Sequence, residues 1–121
     1  MPQPLVWNKI KSQGTPPASR LGHTLVKFEK LYVLFGGLDN ERKNGKIAPN
    51  NQVYTLKLLP KEACNWTLNN CTGDIPLPRS NHSACDIGGN QMMIFGGLYS
   101  SNQRFNDTYI LKIGKSNLSI F

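Results

Sequence analysis

The side chains of this sequence that could bind a metal ion or act as a nucleophile or base are few and scattered. The three cysteines form no C-x-x-C pair and no zinc pattern, and no third ligand with plausible spacing joins the two histidines. Asp107 could be a catalytic carboxylate, but a role in stabilising a bend fits its place after a loop better. We therefore expect no catalytic residue, no metal site and no cofactor. The residues concerned are His23, His82, Cys64, Cys71 and Cys85.

The two Gly-Gly pairs do not indicate a phosphate-binding loop. Gly36-Gly37 and Gly96-Gly97 are followed neither by Lys-Ser/Thr nor by a helical pattern. The net charge of +7 could mark a surface for nucleic acid or another polyanion. The basic residues are dispersed and not interleaved with aromatic residues, so we do not expect a nucleic-acid partner. No apolar run is long enough to cross a membrane, and an odd number of cysteines without a signal peptide predicts a cytoplasmic protein.

These residues belong to an internal repeat, which must be recognised before local structure is assigned. Five positions recur 59 residues apart, the segments LYVLFGGL and QMMIFGGL recur 60 apart, and NQVYTL and NDTYIL recur 55 apart. The same order of three matched segments indicates a true duplication. The five pairs are Trp7 and Trp66, Gly14 and Gly73, Pro17 and Pro76, Arg20 and Arg79, and His23 and His82.

The matched segments predict short β-strands. Apolar runs of five or six residues that end in Gly-Gly are too short for helices, and VYTLKL and TYILKI alternate with a period of two. We name the strands after their markers: a (His), b (Gly-Gly), c (Asn-x-x-Tyr) and d (Trp, in LVWNKI and NWTLNN). Seven antiparallel strands are expected, with the b–c and d–a connections on one side of the sheets. Because these connections are the longest and most variable, recognition is expected there.

The combined pattern resembles the kelch repeat family of β-propellers. The resemblance implies an all-β fold of two antiparallel kelch-type blades of four short strands, in an incomplete propeller. It divides the chain into a leading d strand of a preceding blade (1–14), repeat 1 (15–72) and repeat 2 (73–121), which lacks its closing d strand. It also implies structural roles for the motif residues, which are Trp7, Arg20, His23, Gly36, Gly37, Tyr54, Trp66, Arg79, His82, Gly96, Gly97 and Tyr109.

The resemblance further implies a non-catalytic scaffold that binds a protein through loops on one face. The candidate partner-binding residues are Arg42, Lys43, Lys46, Tyr99 and Arg104, in the two b–c connections. The basic residues Arg42, Lys43 and Lys46 could instead form a loop tip that only contacts solvent. Arg20 and Arg79 could either hold the backbone in place or contact a partner. One alternative for the whole chain is polyanion or nucleic-acid binding through the basic loop surface, and another is that it is the propeller part of a larger enzyme or ligase-adaptor protein.

A propeller needs roughly four to eight blades to close its ring, and this chain supplies about two. We therefore expect the 121 residues to be part of a longer or truncated chain. The alternative is a protomer that completes its ring with further copies. In either case the net charge belongs to this segment alone.

Overall fold

The computed structural model describes residues 1–114, with every side chain among them except that of Lys43. This part of the chain contains thirteen strands and no helix. The strands are β1 (Lys11–Gly14), β2 (Arg20–Leu21), β3 (Thr24–Lys27), β4 (Tyr32–Phe35), β5 (Leu38–Lys43), β6 (Lys46–Pro49), β7 (Val53–Leu59), β8 (Ala63–Asn69), β9 (Ser83–Gly88), β10 (Gln91–Phe95), β11 (Leu98–Ser100), β12 (Gln103–Arg104) and β13 (Thr108–Lys112).

Blade 1 is a sheet in which β3, β4, β7 and β8 take the places of strands a to d. Its strand order is β1-β8-β7-β4-β3, and the four repeat strands pair antiparallel. The fifth strand, β1, pairs parallel with β8, with Lys11 opposite Ala63 and Gly14 opposite Trp66. Blade 1 is therefore extended at its outer edge by the segment that leads into the repeat.

Blade 2 is formed by β9, β10 and β13, which correspond to strands a, b and c. Its strands pair antiparallel, and β13 and β9 are its edge strands among the described residues. The expected absence of a closing d strand concerns residues after Gly114 and lies outside the part that the structure describes. The all-β fold of kelch-type blades is confirmed, and residues 1–114 do not form a closed propeller.

The structure has more strands than the seven expected, because both b–c connections fold into hairpins and because β1 and β2 are additional short strands. In the first, Asn44 and Gly45 have φ of 53° and 76°, the left-handed values that a two-residue hairpin turn requires. The expected strand around Trp7 does not form. Residues 1–10 contain no strand, and Trp7 is 98% exposed, because no neighbouring strand within the described residues pairs with it.

One hydrophobic core joins the two blades. Phe28, Leu31, Val33, Phe35 and Val53 of blade 1 pack with the buried Met92 and Ile94 of blade 2. Tyr109 and Leu111 of β13, and Ile113 just after it, lie against the same cluster. The two repeats therefore form a single packed unit. In the part of the chain described, no helix is long and apolar enough to cross a membrane.

Candidate partner-binding surface

The first b–c connection forms a hairpin of β5 and β6. Arg42 stands opposite Ile47, and Lys43 stands opposite Lys46 next to the turn. The Nη1 group of Arg42 donates a hydrogen bond to the carbonyl of Gly45, 3.2 Å away, so the exposed guanidinium is tied to the turn. The hairpin thus fixes the backbone positions of all three predicted basic residues and holds Arg42 and Lys46 in solvent.

The second b–c connection forms a shorter hairpin of β11 and β12. Leu98 pairs with Arg104, and Ser100 pairs with Gln103, with a register shift at Tyr99 between them. The side chains of Tyr99 and Arg104 are both exposed. Tyrosine and arginine are among the residue types enriched at protein interfaces.

The two hairpins lie side by side, with β6 in contact with β11. The d–a connections end beneath them: Arg20–Leu21 pairs with β5, and Ser80 pairs with Leu98. The structure therefore brings Arg42, Lys43, Lys46, Tyr99 and Arg104 to one side of the molecule. We call the exposed part of these two hairpins the hairpin surface.

Electrostatically, the hairpin surface has an excess of positive charge. Its exposed cationic side chains include Arg42, Lys46 and Arg104, against the exposed carboxylate of Glu41. Asp39, the other carboxylate of the first hairpin, is buried and accepts hydrogen bonds from the backbone of Glu41 and the amide of Asn50. Asp39 therefore stabilises the hairpin from inside and adds no charge to its exposed surface.

Arg79 anchors the second hairpin from below and is completely buried. Its Nε donates to the carbonyl of Leu77 at 3.0 Å, and its Nη1 donates to that of Gly96 at 2.9 Å. Its guanidinium also binds both oxygens of Asp107, at 2.6 and 3.2 Å, and lies 4.1 Å from the ring centre of Phe105. The hydrogen bond from Arg79 is the largest cause that lowers the pKa of Asp107. Asp107 therefore serves to hold the buried Arg79 guanidinium in place.

Arg20 occupies the same place in blade 1 but is only half-buried. Its Nε donates to the carbonyl of Ala18, and its Nη1 donates to that of Gly36, 3.0 Å away. In place of Asp107 it has neutral partners, the amide oxygens of Gln52 and Asn50, each at 3.4 Å. Both arginines thus donate their hydrogen bonds to backbone carbonyls and to side chains near the start of strand c.

Asn50 is a residue that the sequence reasoning missed. It is buried, and its amide donates to Asp39, while its Oδ1 accepts from the backbone of Gln52. Its backbone carbonyl accepts from the N–H of Arg79 at 3.2 Å, which connects the two blades. The sequence feature that could have indicated this role is an Asn directly after Pro49, since Asn side chains in turns often accept a hydrogen bond from the backbone two residues later.

His82 lies in the interface between the blades. Its Nε2 shares a hydrogen bond of 2.8 Å with the hydroxyl of Thr24, and its ring meets Phe35 edge-on at 5.0 Å. Its buried Nδ1 has no hydrogen-bond partner among the described residues. Burial, followed by the charges of Arg79 and His23, lowers the pKa of His82 to about 4. The equivalent His23 is exposed, since no blade covers that side of blade 1 in the described chain.

The remaining motif residues pack within the blades. Tyr54 meets Trp66 edge-on, with ring centres 6.4 Å apart, and Tyr109 lies beneath Arg79. The four glycines of the Gly-Gly pairs all have positive φ. No group of three or more His, Cys, Asp or Glu side chains in residues 1–114 is placed to hold a metal ion.

Comparisons with known proteins agree with this architecture. The profile of the KLHDC2/KLHL20/DRC7 Kelch-repeats domain matches residues 2–119. An F-box/kelch-repeat protein of Arabidopsis thaliana is 33% identical over 115 residues, which cover 92% of this chain and 22% of that protein. Dynein regulatory complex subunit 7 of Chlamydomonas reinhardtii is 33% identical over 95 residues, or 78% of this chain and 8% of the relative.

A third relative is the flagellar outer-arm dynein alpha chain of Chlamydomonas reinhardtii. It is 31% identical over 106 residues, which cover 88% of this chain but 2% of the dynein chain. The chain thus spans less than a quarter of the length of each of these relatives. On the match over residues 2–119, together with the duplicated blades, the chain belongs to the kelch-repeat family.

Proposed function

We propose that this chain is a non-catalytic interaction module that binds a partner protein through the hairpin surface. The observation that carries the proposal is the contrast between its residues and the repeat motif. Arg20 and Arg79 bond to backbone carbonyls inside the blades, whereas Arg42, Lys46, Tyr99 and Arg104 are exposed on the hairpins, and the one backbone bond given for Arg42 is to Gly45 in its own turn. The scaffold thus holds groups that its own packing does not use, as binding loops on rigid frames do.

The chemistry of the surface favours an acidic partner. The surface combines cationic side chains with an exposed tyrosine, and arginine and tyrosine are, with tryptophan, the residue types most enriched among energetically important interface residues. Attraction between this surface and carboxylates would speed association and would weaken as salt is added. We propose a cytoplasmic location, which the three free cysteines favour.

The relatives suggest a role for the module within a larger protein. One is an F-box/kelch-repeat protein and another is a subunit of a dynein regulatory complex. We propose that the kelch segment serves in an analogous way, as the part of a longer assembly that contacts another protein. Under this proposal any catalytic or adaptor function would belong to other domains.

The test compares protein capture by two double variants of equal charge. Arg42→Ala/Lys46→Ala removes two cations from the hairpin surface, and Lys27→Ala/Lys30→Ala removes two exposed cations near the a–b turn of blade 1. The hairpin variant should lose at least tenfold in affinity for the captured partner, while the control should bind as the wild type does. Equal binding by wild type and both variants would refute the hairpin surface as the site.

A heparin column distinguishes the alternative of polyanion binding. A polyanion site on the basic loops would make the hairpin variant elute from heparin at a lower salt concentration than the control variant. A protein-specific hairpin surface predicts that the two variants differ in partner capture while they elute alike from heparin. Earlier elution of the hairpin variant than of the control variant from heparin, with no difference between them in partner capture, would favour polyanion binding.

A further inference from the structure

The first hairpin is joined to blade 2 by a closed ring of backbone hydrogen bonds. Its base consists of Gly37, directly before β5, and Asn50, directly after β6. The N–H of Asn50 donates to the carbonyl of Gly37 at 3.0 Å, the N–H of Gly37 donates to that of Arg79 at 2.9 Å, and the N–H of Arg79 donates to that of Asn50 at 3.2 Å. Movement of this hairpin relative to Arg79 therefore has to break bonds of the ring.

The second hairpin is attached to the residue that follows Arg79 in the chain. The backbone of Ser80 both donates to and accepts from the backbone of Leu98, at 2.9 Å in each case, and the side chain of Arg79 donates to the carbonyl of Gly96. Arg79 and Ser80 are 0% and 3% exposed. One buried dipeptide thus connects the bases of both hairpins.

A buried pair of side chains holds the first hairpin in this ring. Asp39 on β5 and Asn50 after β6 are 8% and 4% exposed, and the Nδ2 of Asn50 donates to the Oδ2 of Asp39 at 3.2 Å. The Oδ1 of Asp39 accepts from the N–H of Glu41 at 2.8 Å, and the Oδ1 of Asn50 accepts from the N–H of Gln52 at 3.1 Å. Because an unpaired buried polar group is costly, these bonds fix the orientation of both side chains.

The Asp39–Asn50 pair is not part of the repeat. The counterparts of the two residues, by the offsets of 60 and 55, are Tyr99 and Phe105. The second hairpin nevertheless closes in the same way, with the N–H of Phe105 donating to the carbonyl of Gly97 at 2.8 Å. A b–c hairpin of this chain therefore folds without an Asp–Asn pair, and the pair in the first hairpin serves a purpose specific to that hairpin.

We infer that Asp39 and Asn50 are positioning residues for partner binding: they hold the first hairpin on Arg79 and so keep it at a fixed distance from the second, and the partner contacts both hairpins at once. The inference rests on the proposed function of the hairpin surface. Two contact groups on one rigid frame bind a partner more tightly than two groups that move independently, because less freedom is lost on binding. Since Asp39 and Asn50 are buried, they act through the hairpins and not by touching the partner.

Exchange of the two side chains gives a test in which positioning and charge predict different results. In Asp39→Asn an amide NH₂ group has to face another N–H donor, and in Asn50→Asp two buried carboxylates face each other. Charge alone would make Asp39→Asn bind an acidic partner more tightly and Asn50→Asp bind it more weakly. Positioning predicts that both single variants bind at least about fivefold more weakly.

The double variant Asp39→Asn/Asn50→Asp restores every bond of the pair. Its new amide donates to its new carboxylate, the N–H of Glu41 again meets an amide oxygen, and the N–H of Gln52 meets a carboxylate oxygen. The double variant should therefore bind within about twofold of the wild type. Weak binding by the double variant would overturn the inference.

Leu56→Ala is the matched control for a loss of stability that leaves the hairpins in place. Leu56 is 9% exposed and pairs with Tyr32, at the end of β4 opposite Gly37. The variant should lower the free energy of unfolding without changing the affinity of the folded chain. Weaker binding by Leu56→Ala, to the same extent as by Asp39→Asn, would reduce the pair to a stabilising role and overturn the inference.

The probe is an acidic peptide selected from a displayed random library on the wild-type chain and depleted of binders to Arg42→Ala/Lys46→Ala. Its affinity for each full-length variant is measured by fluorescence anisotropy, under conditions where urea titration shows that the variant is folded. Failure to select such a peptide would refute the hairpin surface itself. A peptide that depends on Arg42 and Lys46 but binds the Asp39→Asn variant as tightly as the wild type would overturn only the positioning role.

Simultaneous contact with both hairpins is tested by Arg104→Ala in the second hairpin. This variant should weaken binding of the peptide at least about threefold in the wild type and by a smaller factor in the Asp39→Asn background, since loosened hairpins no longer act together. A purely structural role of Asp39 would leave the two factors equal. Equal factors, or an Arg104→Ala variant that binds as the wild type does, would overturn the inference.

Amide hydrogen exchange tests the ring without any ligand. The N–H groups of Gly37 and Arg79 should be protected in the wild type and in the double variant, and should exchange at least about tenfold faster in Asp39→Asn and in Asn50→Asp. Equal protection in the wild type and both single variants would show that the pair does not hold the ring, and would overturn the inference.

Discussion

Replacement of Asp107 by asparagine isolates the ion pair that holds Arg79 in place. Arg79 is completely buried, whereas the side chain of Asp107 is 36% exposed. Asp107→Asn keeps the shape and one acceptor oxygen but removes the negative charge. Arg79 then keeps its bonds to the carbonyls of Leu77 and Gly96 and its contact with Phe105.

The size of the effect follows from these contacts. Hydrogen bonds to charged groups contribute about 1.5–3 kcal/mol each, about twice a neutral one. Asparagine retains one of the two bonds in neutral form, and solvent at Asp107 screens part of the loss. We therefore expect Asp107→Asn to lower the free energy of unfolding by about 1–2 kcal/mol. Arg79→Leu should cost more, about 3–5 kcal/mol, since it also strands Asp107 and two backbone carbonyls.

The assay is urea unfolding followed by circular dichroism at pH 7, arranged as a double-mutant cycle. In the Arg79→Leu background, Asp107→Asn should have almost no cost. The arginine lowers the pKa of Asp107, so the stabilisation is present above the usual pKa of 3.8 and is lost as the pH falls through the lowered value. Gln52→Ala, beside the half-buried Arg20, is the internal control and should cost less than Asp107→Asn.

Two results would refute this reasoning. If Asp107→Asn costs the same with and without Arg79, the carboxylate acts through something other than the guanidinium. If Gln52→Ala destabilises as much as Asp107→Asn, the charge of the partner is not what distinguishes the two arginine sites.

Three further predictions concern the interface and the thiols. The pKa of His82 is about 4 in the folded chain and 6.5 when unfolded, so stability should be complete above pH 6.5 and fall between pH 6.5 and 4. The fall should be about 1–3 kcal/mol and should be absent in His82→Gln, as thermal unfolding at several pH values would show. Gly36→Ala should destabilise by at least about 1 kcal/mol more than Gly96→Ala in urea unfolding. Both glycines have positive φ, but only Gly36 abuts the backbone of the neighbouring blade, so equal losses would contradict the interface. Cys85 should react with a thiol reagent at pH 8 well before Cys71, because Cys85 is exposed and burial raises the pKa of Cys71; the reverse order would refute the placement of β9.

The strands of the two repeats could be predicted from the sequence because their signals are local. Period-two alternation in VYTLKL and TYILKI, and apolar runs before Gly-Gly, correspond to β7, β13, β4 and β10. The placement of the b–c connections next to the d–a connections followed from strand parity, and the pairing of β2 with β5 shows the same geometry. These features depend on neighbours in sequence or on simple alternation.

The features that were not predicted depend on contacts distant in sequence. The hairpin strands β5 and β6 contain mostly polar residues, so no apolar alternation marked them, and only Asn44-Gly45 indicated the turn. The parallel pairing of β1 with β8 joins segments more than fifty residues apart. The different surroundings of His23 and His82 arise because equivalent positions face different neighbours, which a repeat pattern cannot show.

The pairing of β1 with β8 also has a kinetic consequence. It can form only when the two ends of a segment of about fifty residues meet. All four residues of β1 are exposed, so little apolar burial favours the pairing. Loop closure of that length costs entropy that local hairpins do not pay. We therefore expect β1 to dock late in folding and to open first under native conditions, with its amide hydrogens exchanging before those of β4 and β7. Each such opening would leave the outer edge of β8 briefly accessible to another strand.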